Sequence, residues 1–587
     1  MILEKVSPVA LPGLTFSKIN TGRGDGGRPG RERMVDVRSS PPVSVTGLVL
    51  AWVGYLASLT PTMVPRTTTV QVIMSTLLPL SGYALGAVLG ALARLVLVDR
   101  HWLEQNPTAR RLAIAVGVVA ALAALLLTPV ALRWQTELVA AAGWTLPSWP
   151  LVVTLAPALS VLLVLVGRAL RAAGRALGRR WLQVVPSPGW ATLLGGVTVG
   201  LLVAGATAGA FALLARQYAG WDADTDGQAP PTTALRSGGP GSLVAWQTLG
   251  RQGREFVGGG PSAADIEGFS GVPAPEPIRV YVGRDQAAGP EGRAALLVDE
   301  VRRTGGFDRD VVVLTVTSGL GSVHPVSAQT VEYVANGDVA SAATQYSVVP
   351  SWMTAILDRA GARREAEALV EAFTTAVAEL PPQDRPRLVL NGESLGAAGS
   401  QQVFSGLSPE QVVADFDGVL WVGTPATSAL LQQWASFPDG TPPWEPVVGD
   451  GSIARFAANA DRVPIADPSW GDRRILFLHS ATDPVAYFSG SLLRSRPSWI
   501  GDARFTSVPE RMGWWPLFTW EQMLIDFTTN GIVPPGFGHN YSNSHAMGWA
   551  GVLHPEGWDA STVDRLEVYR AEVGPPDPGV PVSAKGS

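Results

Sequence analysis

The chain has 587 residues, 46% of them hydrophobic and 16% charged, with no cysteine and a formal net charge of −5. That much apolar material excludes a disordered chain, and the missing cysteines exclude a disulfide scaffold, a thiolate zinc site and a cysteine nucleophile. Charged residues usually make up about 25% of a soluble domain, and the shortfall is local. Residues 44–215 carry 14 charged residues in 172, while the other 415 carry 79. The composition is that of a membrane part joined to a larger soluble part.

In chain order, residues 1–43 form a basic segment with seven Lys and Arg, including Arg23, Arg28, Arg31, Arg33 and Arg38. Five stretches then carry no charge: 44–65, 67–93, 112–132, 138–167 and 181–215. Each is long enough for the ~20 residues that cross a bilayer core, with 149–167 and 190–215 the spanning parts of the last two. The first run begins too far into the chain for a cleaved signal peptide and is followed by further spans. Loops 94–111 and 168–180 are arginine-rich, whereas the turns at Arg66 and at Arg133–Glu137 are not. This alternation predicts a cytoplasmic N-terminus, about five spans in 44–215, and a C-terminal part outside the cytoplasm. Arg168, Arg171, Arg175 and Arg179 share one helical face and suit anionic headgroups better than nucleic acid, because no aromatics interleave them. No charge lies inside a predicted span, which disfavours a transporter.

Residues 216–277 are rich in Gly and Pro and read as a linker with a short amphipathic helix near Leu243–Val257. Beyond it, strands are expected at Ile278–Val282, Val311–Val316, Leu388–Asn391, Gly418–Val422 and Ile475–Leu478. Helical patterns fall at 290–304, 351–380 and 395–404. Alternation of this kind predicts an α/β domain with a mostly parallel sheet flanked by helices, and ligands bound beyond the carboxyl ends of the strands.

The most informative segment is Leu388-Val389-Leu390-Asn391-Gly392-Glu393-Ser394-Leu395-Gly396, an apolar strand leading into G-x-S-x-G and then into small residues. A sharp strand-to-helix turn lifts a serine oxygen above the sheet, and glycines on either side let the backbones approach. A nucleophilic Ser394 needs an acid and then a base in chain order. Asp483, just past the strand Ile475–Leu478, is the expected acid, with Asp461 and Asp467 as weaker rivals. Of the histidines that follow, His539 in the Gly-rich loop 534–541 is the expected base and His545 the second choice. His479 and His554 read as packing residues. The Leu395 backbone N–H is the expected oxyanion donor, and the second donor is left open between Gly283-Arg284 and Thr317-Ser318-Gly319. A Trp- and Pro-rich insertion between Val422 and Ile475 is a candidate lid. There is no H-E-x-x-H, no helical His pair and no phosphate loop, so neither a metal nor a cofactor is expected.

Several of these segments, with others, carry a resemblance. They are Ser58-Leu59-Thr60-Pro61-Thr62-Met63-Val64-Pro65-Arg66, Arg303-Thr304-Gly305-Gly306-Phe307-Asp308-Arg309, Gln345-Tyr346-Ser347-Val348-Val349-Pro350-Ser351-Trp352, Gly392–Gly396, Thr482-Asp483-Pro484-Val485 and Gly536–Tyr541. In these the chain resembles the bacterial, mainly actinobacterial, membrane-anchored α/β-hydrolases with an N-terminal multi-span domain. The use of 41 Arg against 3 Lys fits such a high-GC source. The resemblance implies an α-helical transmembrane bundle followed by an α/β-hydrolase catalytic domain, which the residues place at 278–570 ahead of an expected disordered tail at 571–587. It also implies a triad of Ser394, Asp483 and His539. Two departures stand out: Phe537 where the family's G-H-G-H-x-Y has its first His, and Gly423-Thr424-Pro425 in place of G-P-P. The expected activity is that of an extracytoplasmic serine esterase or lipase acting on a lipid or envelope ester. An acyltransferase, a non-catalytic sensor or scaffold, and a transporter accessory are the alternatives; the membrane is an expected partner and nucleic acid is not.

Overall fold

The computed structural model describes residues 44–96, 107–358, 360–438, 441–442, 444–500 and 508–573. The basic segment 1–43, Arg100 in its loop, and the tail past Val573 lie outside the described residues.

Five long helices open the described chain, with a short helix Thr136–Ala141 between the third and fourth: α1 (Val45–Leu59), α2 (Thr68–Val96), α3 (Pro107–Leu132), α4 (Trp149–Trp181) and α5 (Pro188–Ala223). Among the described residues, four helical stretches are long and apolar enough to cross a membrane: Thr68–Leu92, Ala115–Ala141, Trp149–Trp181 and Pro188–Ala223. The first charge-free run behaves differently. At 1.5 Å per residue the 15 residues of α1 rise only about 22 Å, because Pro61 cannot continue the helix and Thr60 caps it, its hydroxyl bonding back to the Ala57 carbonyl at 2.7 Å. The rest of that run, Thr60 to Pro65, is a buried loop between α1 and α2.

Side-chain contacts fix which ends of the helices lie together. Thr46 at the start of α1 bonds the Gly86 carbonyl of α2. Tyr55 bonds Thr128 of α3 at 2.8 Å, and Thr68 at the start of α2 accepts from the Ser148 amide beside α4. The loops 60–67 and 133–148 and the end of α5 therefore share one side, with the N-terminus of α1 and the α4–α5 turn on the other. On the first side, Met63 and Val64 join an apolar cluster with Trp499, Met512 and Met523. Phe211, Leu214 and Tyr218 of α5 pack on Val348, Val349 and Met353.

The remainder is a seven-stranded sheet, β1 (Ile278–Val282), β2 (Val311–Val316), β3 (Val339–Thr344), β4 (Arg387–Glu393), β5 (Gly418–Val422), β6 (Ala454–Ala457) and β7 (Arg474–Leu478). Its order is β1-β3-β2-β4-β5-β7-β6 and every pairing is parallel. Helices cover both faces, so β1, β2, β3, β5 and β7 are buried along their whole length. That is why most of them read as continuous apolar runs. Two strands carried no such signal. β3 has the sequence VASAAT, whose alanines favour a strand only where neighbouring strands flank both edges. β6 arises inside the Trp- and Pro-rich insertion and pairs at the sheet edge with β7. Residues 216–277 pack onto this domain: α5 extends to Ala223, and Trp246, Leu249, Phe256 and Val257 enter the same core as β1.

Candidate active site

Ser394 directly follows β4, the central strand, and caps the helix Leu395–Val403. Its backbone sits at φ 56°, ψ −117°, a strained conformation that an L residue holds only when its surroundings impose it. The surroundings are visible at Gly396, where a Cβ would lie 2.0 Å from the Val316 carbonyl of β2, and at Gly392, where it would lie 2.9 Å from the Ala397 amide. The Ser394 amide bonds the Val422 carbonyl of β5 at 2.9 Å, fixing the turn against the next strand. Leu395 opens the helix, so its N–H has no intrahelical acceptor and is available to an anion.

Asp483 lies past β7 and is fully buried. One carboxylate oxygen accepts from the Val485 amide at 2.8 Å, capping the turn ahead of Pro484. The other meets His539 Nδ1 at 2.6 Å and the Tyr541 hydroxyl at 2.8 Å. Capping and pairing with histidine are thus both done by one side chain. Tyr541 also accepts from the Ser480 amide at 2.9 Å, and the Gly538 amide donates to Thr482 at 3.1 Å. These bonds staple the loop bearing His539 to the loop bearing Asp483. Sequence reasoning gave Tyr541 no role, although it closes the G-x-G-H-x-Y segment and so was within view.

The His539 ring stands over Gly423, where a Cβ would lie 2.4 Å from its Cε1, and Gly423 follows the residue that anchors Ser394. Serine turn and histidine loop thus meet over the end of β5. Burial opposes protonation of His539, but the Asp483 charge and hydrogen bond outweigh it, with Glu393 adding to them, and its pKa is raised. With Nδ1 bonded to Asp483, Nε2 is the nitrogen left for a reacting proton, and it has no hydrogen-bond partner among the described residues.

The structure pairs His539, and not His545, with Asp483. His545 is fully buried beside His324, with its ring 4.4 Å from that ring. His479 is buried and stacks on Tyr487, and burial pushes its pKa down to about 4. His554 ends the helix His545–Leu553 and bonds the Asp472 carbonyl. Asp467 is engaged by Arg455 at 2.7 Å, and Asp461 sits in a short 3-10 turn after β6. Strand order separates the two loops left open for the second oxyanion donor. Thr317-Ser318-Gly319 follows β2, the neighbour of β4, and backs onto Gly396, whereas Gly283-Arg284 follows β1, two strands further out.

A parallel sheet with a strained serine turn after its central strand, and an Asp–His pair past later strands, defines an α/β-hydrolase fold. Residues 278–566 match the alpha/beta-hydrolase family, and residues 59–261 match the N-terminus of that family. Together the two matches span most of the chain, which belongs to this family. No curated protein and no solved structure matches it.

Proposed function

We propose that this protein is a membrane-anchored, extracytoplasmic serine hydrolase that cleaves a carboxylic ester through an acyl-serine. The observation that carries the reading is the 2.6 Å bond between Asp483 and His539, held over the strand that also anchors the strained Ser394. In this reading His539 Nε2 takes the Ser394 hydroxyl proton as Oγ attacks the ester carbonyl. Asp483 holds the imidazole in the tautomer with its proton on Nδ1 and stabilises the imidazolium that forms. The tetrahedral oxyanion is met by the Leu395 N–H and by an amide of Thr317–Gly319. Collapse expels the alcohol with the proton returned by His539, and water attacking the acyl-serine by the same route completes hydrolysis.

Orientation is supported by charge and packing together. The turn flanked by Arg179 and Arg180 lies opposite the loops that touch the sheet domain, and arginine-rich turns favour the cytoplasmic side. A lipidic ester is supported by the helix Ser351–Leu357, whose Trp352, Ile356 and Leu357 are exposed beside Phe211 of α5. A fluorophosphonate probe applied to the purified full-length protein tests the chemistry. Wild type should be labelled, and Ser394→Ala and His539→Ala should not. Equal labelling of Ser394→Ala, or none of the wild type, would sink the reading. For the orientation, protease added to intact cells should cut within 224–573; protection of that region would reverse it.

A further inference from the structure

Three side chains that the triad does not use meet beside the nucleophile. His324 stands at the start of the helix Pro325–Val334, in the loop that leaves β2. Glu393 ends β4, immediately before Ser394, and His545 opens the helix His545–Leu553. One donor atom from each lies within 4.8 Å of the others. His545 Nε2 is 3.7 Å from Glu393 Oε2, too long for a hydrogen bond.

The second observation concerns His545 itself. It is fully buried, and neither ring nitrogen has a hydrogen-bond partner among the described residues. His324 Nδ1 is in the same position, while its Nε2 lies 3.4 Å from the Ser542 hydroxyl. Buried imidazoles are ordinarily hydrogen-bonded through at least one nitrogen. His545 therefore presents unpartnered ring nitrogens beside a carboxylate, an arrangement that a metal ion would satisfy.

We propose that His324, Glu393 and His545 form a binding site for a borderline divalent cation, with Zn2+ the best match. Two imidazole nitrogens and one carboxylate oxygen suit zinc and its transition-metal neighbours and do not suit calcium or magnesium, which take oxygen ligands. Zinc bonds of ~2.0–2.2 Å place donor atoms roughly 3.3 Å apart. The donor atoms lie within 4.8 Å of one another, so binding would draw them together by about 1.5 Å at most. Three protein ligands leave a tetrahedral ion one open position for water or a substrate oxygen. The ion would also tie together the loop after β2, the nucleophile strand and the helix after the His539 loop. Chain spacing could not reveal the site, because its members stand at 324, 393 and 545.

The full-length protein in detergent is stripped with dipicolinate and titrated with Co2+, reading the visible ligand-field bands. One Co2+ per chain is expected, displaced by one equivalent of Zn2+, with His324→Ala and Glu393→Gln each weakening binding by at least ~100-fold. Stripped wild type without bands, or binding no tighter than His324→Ala, overturns the site. X-ray absorption at the zinc edge of the wild type needs no variant to fold: imidazole scattering from two rings is expected, and a shell without it overturns the proposal.

Discussion

The ion pair between Arg66 and Asp526 lets the coupling of the α1–α2 hairpin and the His539 loop be tested as a free energy. Arg66 lies in the turn between α1 and α2, and Asp526 in the helix Phe518–Thr529; both side chains are fully buried, with Nε and Oδ1 3.9 Å apart. Arg66 also donates to the Ser58 carbonyl at 3.0 Å, and Gln71 donates to the same carbonyl at 2.8 Å. The helix is held to the hairpin along its length. Gln522 bonds the Ala57 carbonyl at 2.7 Å, and Glu521 accepts from Ser81 at 2.7 Å. Eight residues past Asp526 the chain enters the His539 loop, where a Cβ on Gly538 would lie 2.9 Å from Val64.

Burial raises the Asp526 pKa to about 6 although Arg66 pulls it back. Replacing Arg66 with Met removes that pull and leaves a buried carboxylate unpaired, a change that costs about 3–5 kcal/mol for pairs of this kind. A carboxyl whose folded pKa is raised binds its proton better folded than unfolded. The variant should therefore recover stability as pH falls from its folded pKa toward 3.8. Melting of full-length wild type, Arg66→Met, Asp526→Leu and the double variant in detergent, at pH 7.5 and pH 5, measures this. At pH 7.5 each single variant should melt several degrees lower, and the double variant higher than either. Arg66→Met should regain most of its loss at pH 5. Fluorophosphonate labelling should slow in the single variants, because the loosened helix carries the His539 loop. A coupling energy below ~0.5 kcal/mol, or acid that destabilises Arg66→Met more than wild type, would refute the reasoning.

Three further outcomes follow from the site. The raised His539 pKa means that kcat/KM should fall as pH drops through a value above 6.5. Asp483→Asn should move that limb to lower pH while costing on the order of 10³–10⁴ in rate, and an unmoved limb would assign it to another group. The same shift stabilises the fold fully below pH 6.5, a contribution lost as pH rises through the folded value. Tyr541→Phe removes the 2.8 Å bond to Asp483; at about 1.5–3 kcal/mol for a bond to a charged group, kcat should fall roughly 10–100-fold with KM little changed. Wild-type kcat would show that Tyr541 does not position the dyad. Gly423→Ala puts a methyl 2.4 Å from His539 Cε1 at a backbone φ of +59°, so labelling of Ser394 should be lost while the protein stays folded by circular dichroism. Normal labelling would contradict the placement of the ring over β5.

What the residues themselves determined are the features set by local physics. Charge-free runs mark apolar helices because a bilayer core tolerates few charges. Five of the seven strands are visible because burial on both faces demands unbroken apolar residues, and the Ser394 turn because strand, glycines and small helix residues must be contiguous. β3 escaped notice for the converse reason: its alanines are strand-forming only between β1 and β2. Tertiary structure decided whatever depends on strand order and long-range contact. It brought His539, already favoured by its Gly-rich loop, to 2.6 Å from Asp483, because only loop packing sets that distance, and it buried His545 beside Glu393 instead. It set Thr317–Gly319 beside the Ser394 turn, because β2 and not β1 is the neighbour of β4. It turned the end of the first charge-free run into a buried loop against the hydrolase domain, because Pro61 ends the helix and Arg66 finds its counter-charge on a helix 460 residues later.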